Sequence, residues 1–112
     1  MKRLLAVTAV LLVALSAIAY QRGASGRLLT GKVLDRQDNV LPNAVVYLSD
    51  SRTRAVKTYI VGPDGTYRFP ALSTAVDYEV YAQYNGKKSD TKMVSQFDNR
   101  QQININLKID TR

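Results

Sequence analysis

A chain of 112 residues without a single cysteine or histidine has no disulfide framework. It also lacks imidazole or thiolate metal ligands and the Ser–His and Cys–His nucleophile systems. The formal charge of +7 falls to +5 without Lys2 and Arg3 (7 − 2 = 5). The remaining basic residues, among them Arg52, Arg54, Lys57, Arg68, Lys87, Lys88 and Lys92, are too dispersed for a nucleic-acid groove with interleaved aromatics and suit a solvated surface.

The N-terminus reads as a secretory signal. Lys2 and Arg3 form a positive head, residues 4–19 are apolar apart from Thr8 and Ser16, and Ala17-Ile18-Ala19 offers small residues at signal-peptidase spacing. The apolar run is shorter than the roughly 20 residues of a membrane-spanning helix. Cleavage after Ala19 is expected, leaving 93 of 112 residues (112 − 19 = 93) in the periplasm or outside the cell. A membrane association follows only if this segment is retained as an anchor. Residues 20–27, containing QRGASG, read as a flexible lead-in, and residues 28–110 as one domain.

From Leu28 onward the apolar period is two. Leu29, Gly31 and Val33 share a face; so do Ala44, Val46 and Leu48, then Val56, Thr58 and Ile60, then Tyr78, Val80, Ala82 and Tyr84. Ile103, Ile105, Leu107 and Ile109 alternate with Asn104, Asn106 and Lys108 in the cleanest of these runs. Such alternation predicts strands with one face on a core and the other in water. The punctuation agrees: DRQDNVLPN separates the first two runs, Pro63-Asp64-Gly65 turns the chain before Tyr67 and Phe69, and Asn85-Gly86 is a two-residue hairpin signal. About seven short strands predict an all-β antiparallel sandwich or barrel.

Four segments in order, GKVLD, LPNAVVYL, GPDGTYRFPAL and YEVYAQYNGK, resemble the carboxypeptidase regulatory-like domain family, which is transthyretin-like and similar to carbohydrate-binding-like folds. The resemblance spans residues 28–109. It implies a seven-stranded Greek-key β-sandwich of prealbumin-like type with no catalytic residues of its own. In that family such modules sit beside metallocarboxypeptidase catalytic domains, at the N-termini of outer-membrane transporters, or alone in secreted bacterial proteins. Asn39 and Asn43 stand where the family more often has glycine, and Asn tolerates left-handed backbone better than most residues. No peptidase sequence accompanies the module on this chain.

No catalytic, cofactor or metal residues are assigned. Glu79 is the sole glutamate, and no facing carboxylate pair is advertised. Asp35, Asp38 and Asn39 carry oxygens that suit calcium, but without the further regularly spaced ligands of a calcium loop they read as turn residues bonding their own backbone. The Lys–Asn isopeptide bond of related prealbumin-like adhesin domains would need Lys32, Asn104 or Asn106, and Glu79. All of these alternate with core residues and are expected to face solvent. What remains is binding. With seven tyrosines and no tryptophan, Tyr67, Tyr78 and Tyr84 fall on core registers, and Tyr47, Tyr59 and Tyr81 fall outward. Outward tyrosines pair across strands in many sheets. They also suggest a sugar or peptide platform, with Tyr59 and Tyr81 stacking and Lys57, Glu79 and Gln83 making polar contacts. The competing expectation is an envelope protein–protein interaction, or service to a separately encoded enzyme or transporter, through sandwich edges open to pairing.

Overall fold

The computed structural model describes residues 26–112, so the expected signal peptide and most of the lead-in lie outside the described residues. The strands are β1 (Arg27–Leu34), β2 (Val45–Asp50), β3 (Val56–Ile60), β4 (Thr66–Leu72), β5 (Tyr78–Tyr84), β6 (Lys87–Lys88), β7 (Lys92–Val94), β8 (Gln102–Asn104) and β9 (Leu107–Lys108). They form two layers. In one, β1 lies between β4 and the β8/β9 pair; in the other, the order is β3-β2-β5, with β6 and β7 on the far side of β5. The all-β sandwich is as expected.

Two details differ from the expectation. The β1–β8 and β1–β9 pairings are parallel, so the first and last strands run side by side and this layer is mixed. The strands also number nine because two expected strands are each broken in two. At the first break, Ser89 bonds the Ala82 amide through its Oγ at 2.9 Å, so a side chain replaces a ladder partner between β6 and β7. At the second, the Ile105 carbonyl turns inward to accept the Tyr67 hydroxyl at 2.6 Å, and the Asn106 side chain accepts the Lys32 amide at 3.0 Å. Gly31 makes this possible. A Cβ there would stand 1.8 Å from the Ile105 carbonyl oxygen.

The turns follow their residue chemistry. Gly65 donates to the Gly62 carbonyl at 3.0 Å and takes φ 76°, while Asp64 caps the amide and hydroxyl of Thr66. Asn85 and Gly86, at φ 50° and 76°, close the β5–β6 hairpin with the left-handed pair that such a turn requires. Asn43 is left-handed at φ 69°, but in the preceding loop the left-handed residue is Asp38 rather than Asn39.

The core is continuous between the layers. Leu29, Val33, Val46, Leu48, Tyr67, Val80, Ile103, Leu107 and Ile109 are all buried, each contributing on the order of 1.5–3 kcal/mol of burial for the larger side chains. One charged residue joins them. Arg27, 2% exposed, donates to the carbonyls of Ser73 and Val76 from one guanidinium nitrogen and to those of Ser95 and Asp98 from the other. It thereby ties the β4–β5 loop to the β7–β8 loop. Strand β1 therefore starts inside the expected lead-in, and the sequence carries no local sign of this role.

Candidate functional site

The two outward faces of the sandwich differ in chemistry. Strand pairing places Thr30, Lys32, Thr66 and Arg68 together on the outside of the β1 layer, a polar, basic surface. Outside the β2 layer, pairing brings Ile60, Val45 and Gln83 into one row, Thr58, Tyr47 and Tyr81 into the next, and Val56, Ser49 and Glu79 into a third. Met93 lies opposite Glu79 on β7 and extends the third row. Val56, Ile60 and Met93 are 58%, 69% and 63% exposed. This is the apolar face of the molecule.

At its centre the Tyr47 and Tyr81 rings stack with centroids 5.0 Å apart and planes inclined by 14°. Lys88 covers the other side of Tyr81, its Nζ 4.2 Å from the ring centroid, in a cation–π contact. Both faces of Tyr81 are thus occupied. Tyr47, by contrast, lines a shallow depression of about 330 Å³ shared with Asn43, Val45, Gln83 and Asn85, where ring and amide groups converge.

The five-residue platform expected from sequence is divided. Glu79, Tyr81 and Gln83 lie on the outer face as expected. Lys57 and Tyr59 do not: they pair with Leu48 and Val46, whose side chains are buried, and so project toward the inter-layer side. Tyr59 sits edge-on to the core residue Phe69 at 6.0 Å. The parity of β3 is accordingly reversed, with Val56, Thr58 and Ile60 outward. The reason is that β3 is an edge strand whose apolar residues are not covered, so alternation there carries no information about which face is the core. Tyr47, Val45 and Asn43 join the site instead. Tyr47 was legible as outward, but its stacking on Tyr81 depends on a register that no local pattern encodes.

The other sequence candidates are placed as follows. Asp35 accepts the amides of Gln37 and Asn39 and the Asn39 side-chain amide, and these bonds hold its carboxyl below the usual range, the Asn39 amide most of all. Asp38 pairs with Lys108 at 2.9 Å. Among the described residues no three acidic side chains gather as a metal site would require. Lys32, Asn104 and Asn106 are exposed on one layer and Glu79 on the other, so the isopeptide set is not assembled.

Solved structures with the same fold include the major pilin subunit BcpA of Bacillus cereus, at 14% identity and a TM-score of 0.59, covering 79% of this chain and 31% of that one. The group B streptococcus pilus 2b backbone protein is similar at 15% identity and a TM-score of 0.55, with 77% and 42% covered. The dioxygenase domain of a dioxygenase–carbohydrate-binding protein fusion from Streptomyces sp. SirexAA-E is similar at 16% identity and a TM-score of 0.53, with 80% and 83% covered. The chain thus spans about a third of the pilin it matches. No curated protein matches it in sequence. The profile of the carboxypeptidase regulatory-like domain matches residues 29–108, nearly all of the sandwich, and on that match the chain belongs to the carboxypeptidase regulatory-like domain family.

Proposed function

We propose that this protein is an exported, non-catalytic interaction module that binds another protein of the cell envelope through the outer face of its β2 layer. The observation that supports this reading is the concentration of exposed Val56, Ile60 and Met93 around the Tyr47–Tyr81 stack, against a polar opposite face. Larger exposed apolar patches on a small domain mark contact sites; here Val56 and Ile60 flank the tyrosine pair on the β3 side, and Met93 lies beyond Ser49 and Glu79. Export rests on the charged head and apolar run at the N-terminus, and the absence of histidine and cysteine supports a role without catalysis. The test is site-specific photo-crosslinking in the cell envelope. A photoreactive residue at Glu79, in the apolar face, is expected to capture a discrete partner, and one at Arg68, on the opposite face, to capture none. Equal capture from both positions, or none from either, would count against the proposal.

A second reading, carbohydrate binding, is favoured by the depression at Tyr47, where Asn43, Gln83 and Asn85 supply amides beside an aromatic ring. Glycan-array binding abolished by Tyr47→Ala would select it. A silent array together with a protein crosslink from Glu79 would select the first.

A further inference from the structure

We infer that β3 is a self-association edge, through which two copies of this chain join by antiparallel β3–β3 pairing about a two-fold axis at Thr58. This concerns the backbone rim of the layer; it shares Val56 and Ile60 with the face described above but rests on the unpaired edge of β3.

The sandwich has four strand edges, and three are blunted. On β4, Pro70 lacks an amide hydrogen and Ala71 is left-handed at φ 59°. The β6/β7 edge is two short pieces carrying Lys87, Lys88 and Lys92, and the β8/β9 edge is broken at Ile105 and Asn106. Lysines, prolines, irregular backbone and short strands are the usual guards against edge pairing. β3 has almost none of them. Its five residues are regular, every one is exposed, and Lys57 carries the sole charge. Three of the six large apolar side chains exposed among the described residues, Val56, Tyr59 and Ile60, belong to it.

The backbone is oriented for pairing. Hydrogen bonds link Asp50 to Ala55 and Val61 to Ala44 at the two ends of the β2–β3 ladder, each at 2.9 Å. In an antiparallel ladder, bonded residues alternate. The amides and carbonyls of Lys57 and Tyr59 therefore face β2, and those of Val56, Thr58 and Ile60 face outward.

The occupant that completes this edge is a second β3. Centred on Thr58, the two-fold register sets Thr58 against Thr58 of the other copy and Val56 against Ile60, and all these residues have outward-facing backbone groups. On the outer face this makes an unbroken β-branched row, the side-chain class that pairs best across strands. On the other face Lys57 meets Tyr59 rather than another lysine. Beyond the strand ends, the turn bearing Arg52 and Arg54 approaches the turn bearing Asp64, so exposed opposite charges are brought together. The contact is isologous and uses the one unguarded edge among the described residues, so it closes at a dimer.

Sedimentation velocity of the purified full chain, from micromolar to submillimolar concentration, is expected to show a reversible monomer–dimer equilibrium. Thr58→Pro removes an outward-facing amide and leaves the β2 ladder bonds intact, as proline at a sheet edge allows. It should raise the dimer dissociation constant about 100-fold, roughly the worth of the two hydrogen bonds lost where Thr58 faces Thr58 across the axis. Because the chain has no other cysteine, Thr58→Cys should form a disulfide dimer on mild oxidation, and Val56→Cys alone should not. If Thr58→Pro fails to fold, this cysteine pair still tests the register. A chain that stays monomeric throughout and whose Thr58→Cys form does not cross-link would leave the edge to a strand of another protein and overturn the proposal. So would a dimer indifferent to Thr58→Pro.

Discussion

β1 and β3 are written in the same alternating pattern and end in opposite circumstances. Leu29-Thr30-Gly31-Lys32-Val33 lies between β4 and β8/β9, with Leu29 and Val33 fully buried. Val56-Lys57-Thr58-Tyr59-Ile60 has one strand neighbour and no buried residue. Alternation shows which residues share a face. It does not show how many strands flank them or whether a second layer covers that face. Substitutions in β1 should therefore read out as folding, and those in β3 as association.

The sharpest break of this contrast is Gly31→Ala. Its Cβ would meet the Ile105 carbonyl at 1.8 Å and the Tyr67 ring at 2.9 Å, and the first of these is backbone that cannot rotate away. Overpacking against backbone on this scale should cost about 4 kcal/mol, a large part of the stability of a domain this size. Urea denaturation measures it, and a loss below about 1 kcal/mol would mean that the last strand shifts freely.

Arg27→Ala comes next. It removes the guanidinium that four carbonyls accept from and leaves those loops unpaired, at a cost of about 3 kcal/mol. Arg27→Lys should recover little, because an ammonium cannot fork between two loops. Hydrogen exchange at residues 73–76 and 95–98 should accelerate together in both variants. Exchange limited to one loop would show that Arg27 does not couple them.

A matched pair tests the contrast directly. Val33→Thr buries a hydroxyl and should cost about 2 kcal/mol. Ile60→Thr, on an exposed position, should change monomer stability by less than about 0.5 kcal/mol. Equal losses would mean that β3 is covered in the protein, as it would be inside the proposed dimer. The comparison therefore belongs at concentrations where the chain is monomeric.

Most of the fold was legible because turn chemistry and a buried face leave local marks. Asn85-Gly86 and Pro63-Asp64-Gly65 announced their turns, and the Ile103–Ile109 alternation announced the buried Ile103, Leu107 and Ile109 but not the break at Ile105 and Asn106. The parallel pairing of β1 with β8 and β9 did not, since it joins the two ends of the domain and depends on closing the whole sandwich. The candidate site was half legible. Glu79, Tyr81 and Gln83 emerged from β5, which is flanked on both sides and has true parity. Lys57 and Tyr59 were misplaced because an uncovered edge strand loses the burial that makes parity readable. Arg27 was invisible, for its partners are carbonyls, and any residue can supply those.

The smallest expected effect concerns acid, and it bears on the loop that Arg27 holds. Asp98 bonds the Arg100 guanidinium at 2.6 Å and the Arg100 amide at 3.2 Å. The side-chain bonds to Arg100, then its amide, then the charges of Arg100 and Arg27 hold the Asp98 carboxyl at about 2, below the ordinary value of about 3.9. A carboxyl whose folded pKa lies below its unfolded one stabilises the fold fully above about pH 4 and loses that contribution as the pH falls toward about 2. Asp50, in the turn before β3, is shifted in the same direction by the Thr53 and Arg52 amides, so acid acts at both ends of the contrast. The difference is what each turn restrains. Protonating Asp98 loosens a loop already fastened to β1, and protonating Asp50 loosens a turn that ends at a free edge. Thermal melts between pH 5 and pH 2 should show a modest decline for the wild type, and for Asp98→Asn a lower starting point with a shallower decline. In Asp50→Asn, exchange should quicken within the β2–β3 ladder, at Lys57 and Tyr59 and at their partners Leu48 and Val46. An Asp98→Asn profile parallel to wild type would show that its carboxylate does not stabilise the β7–β8 loop.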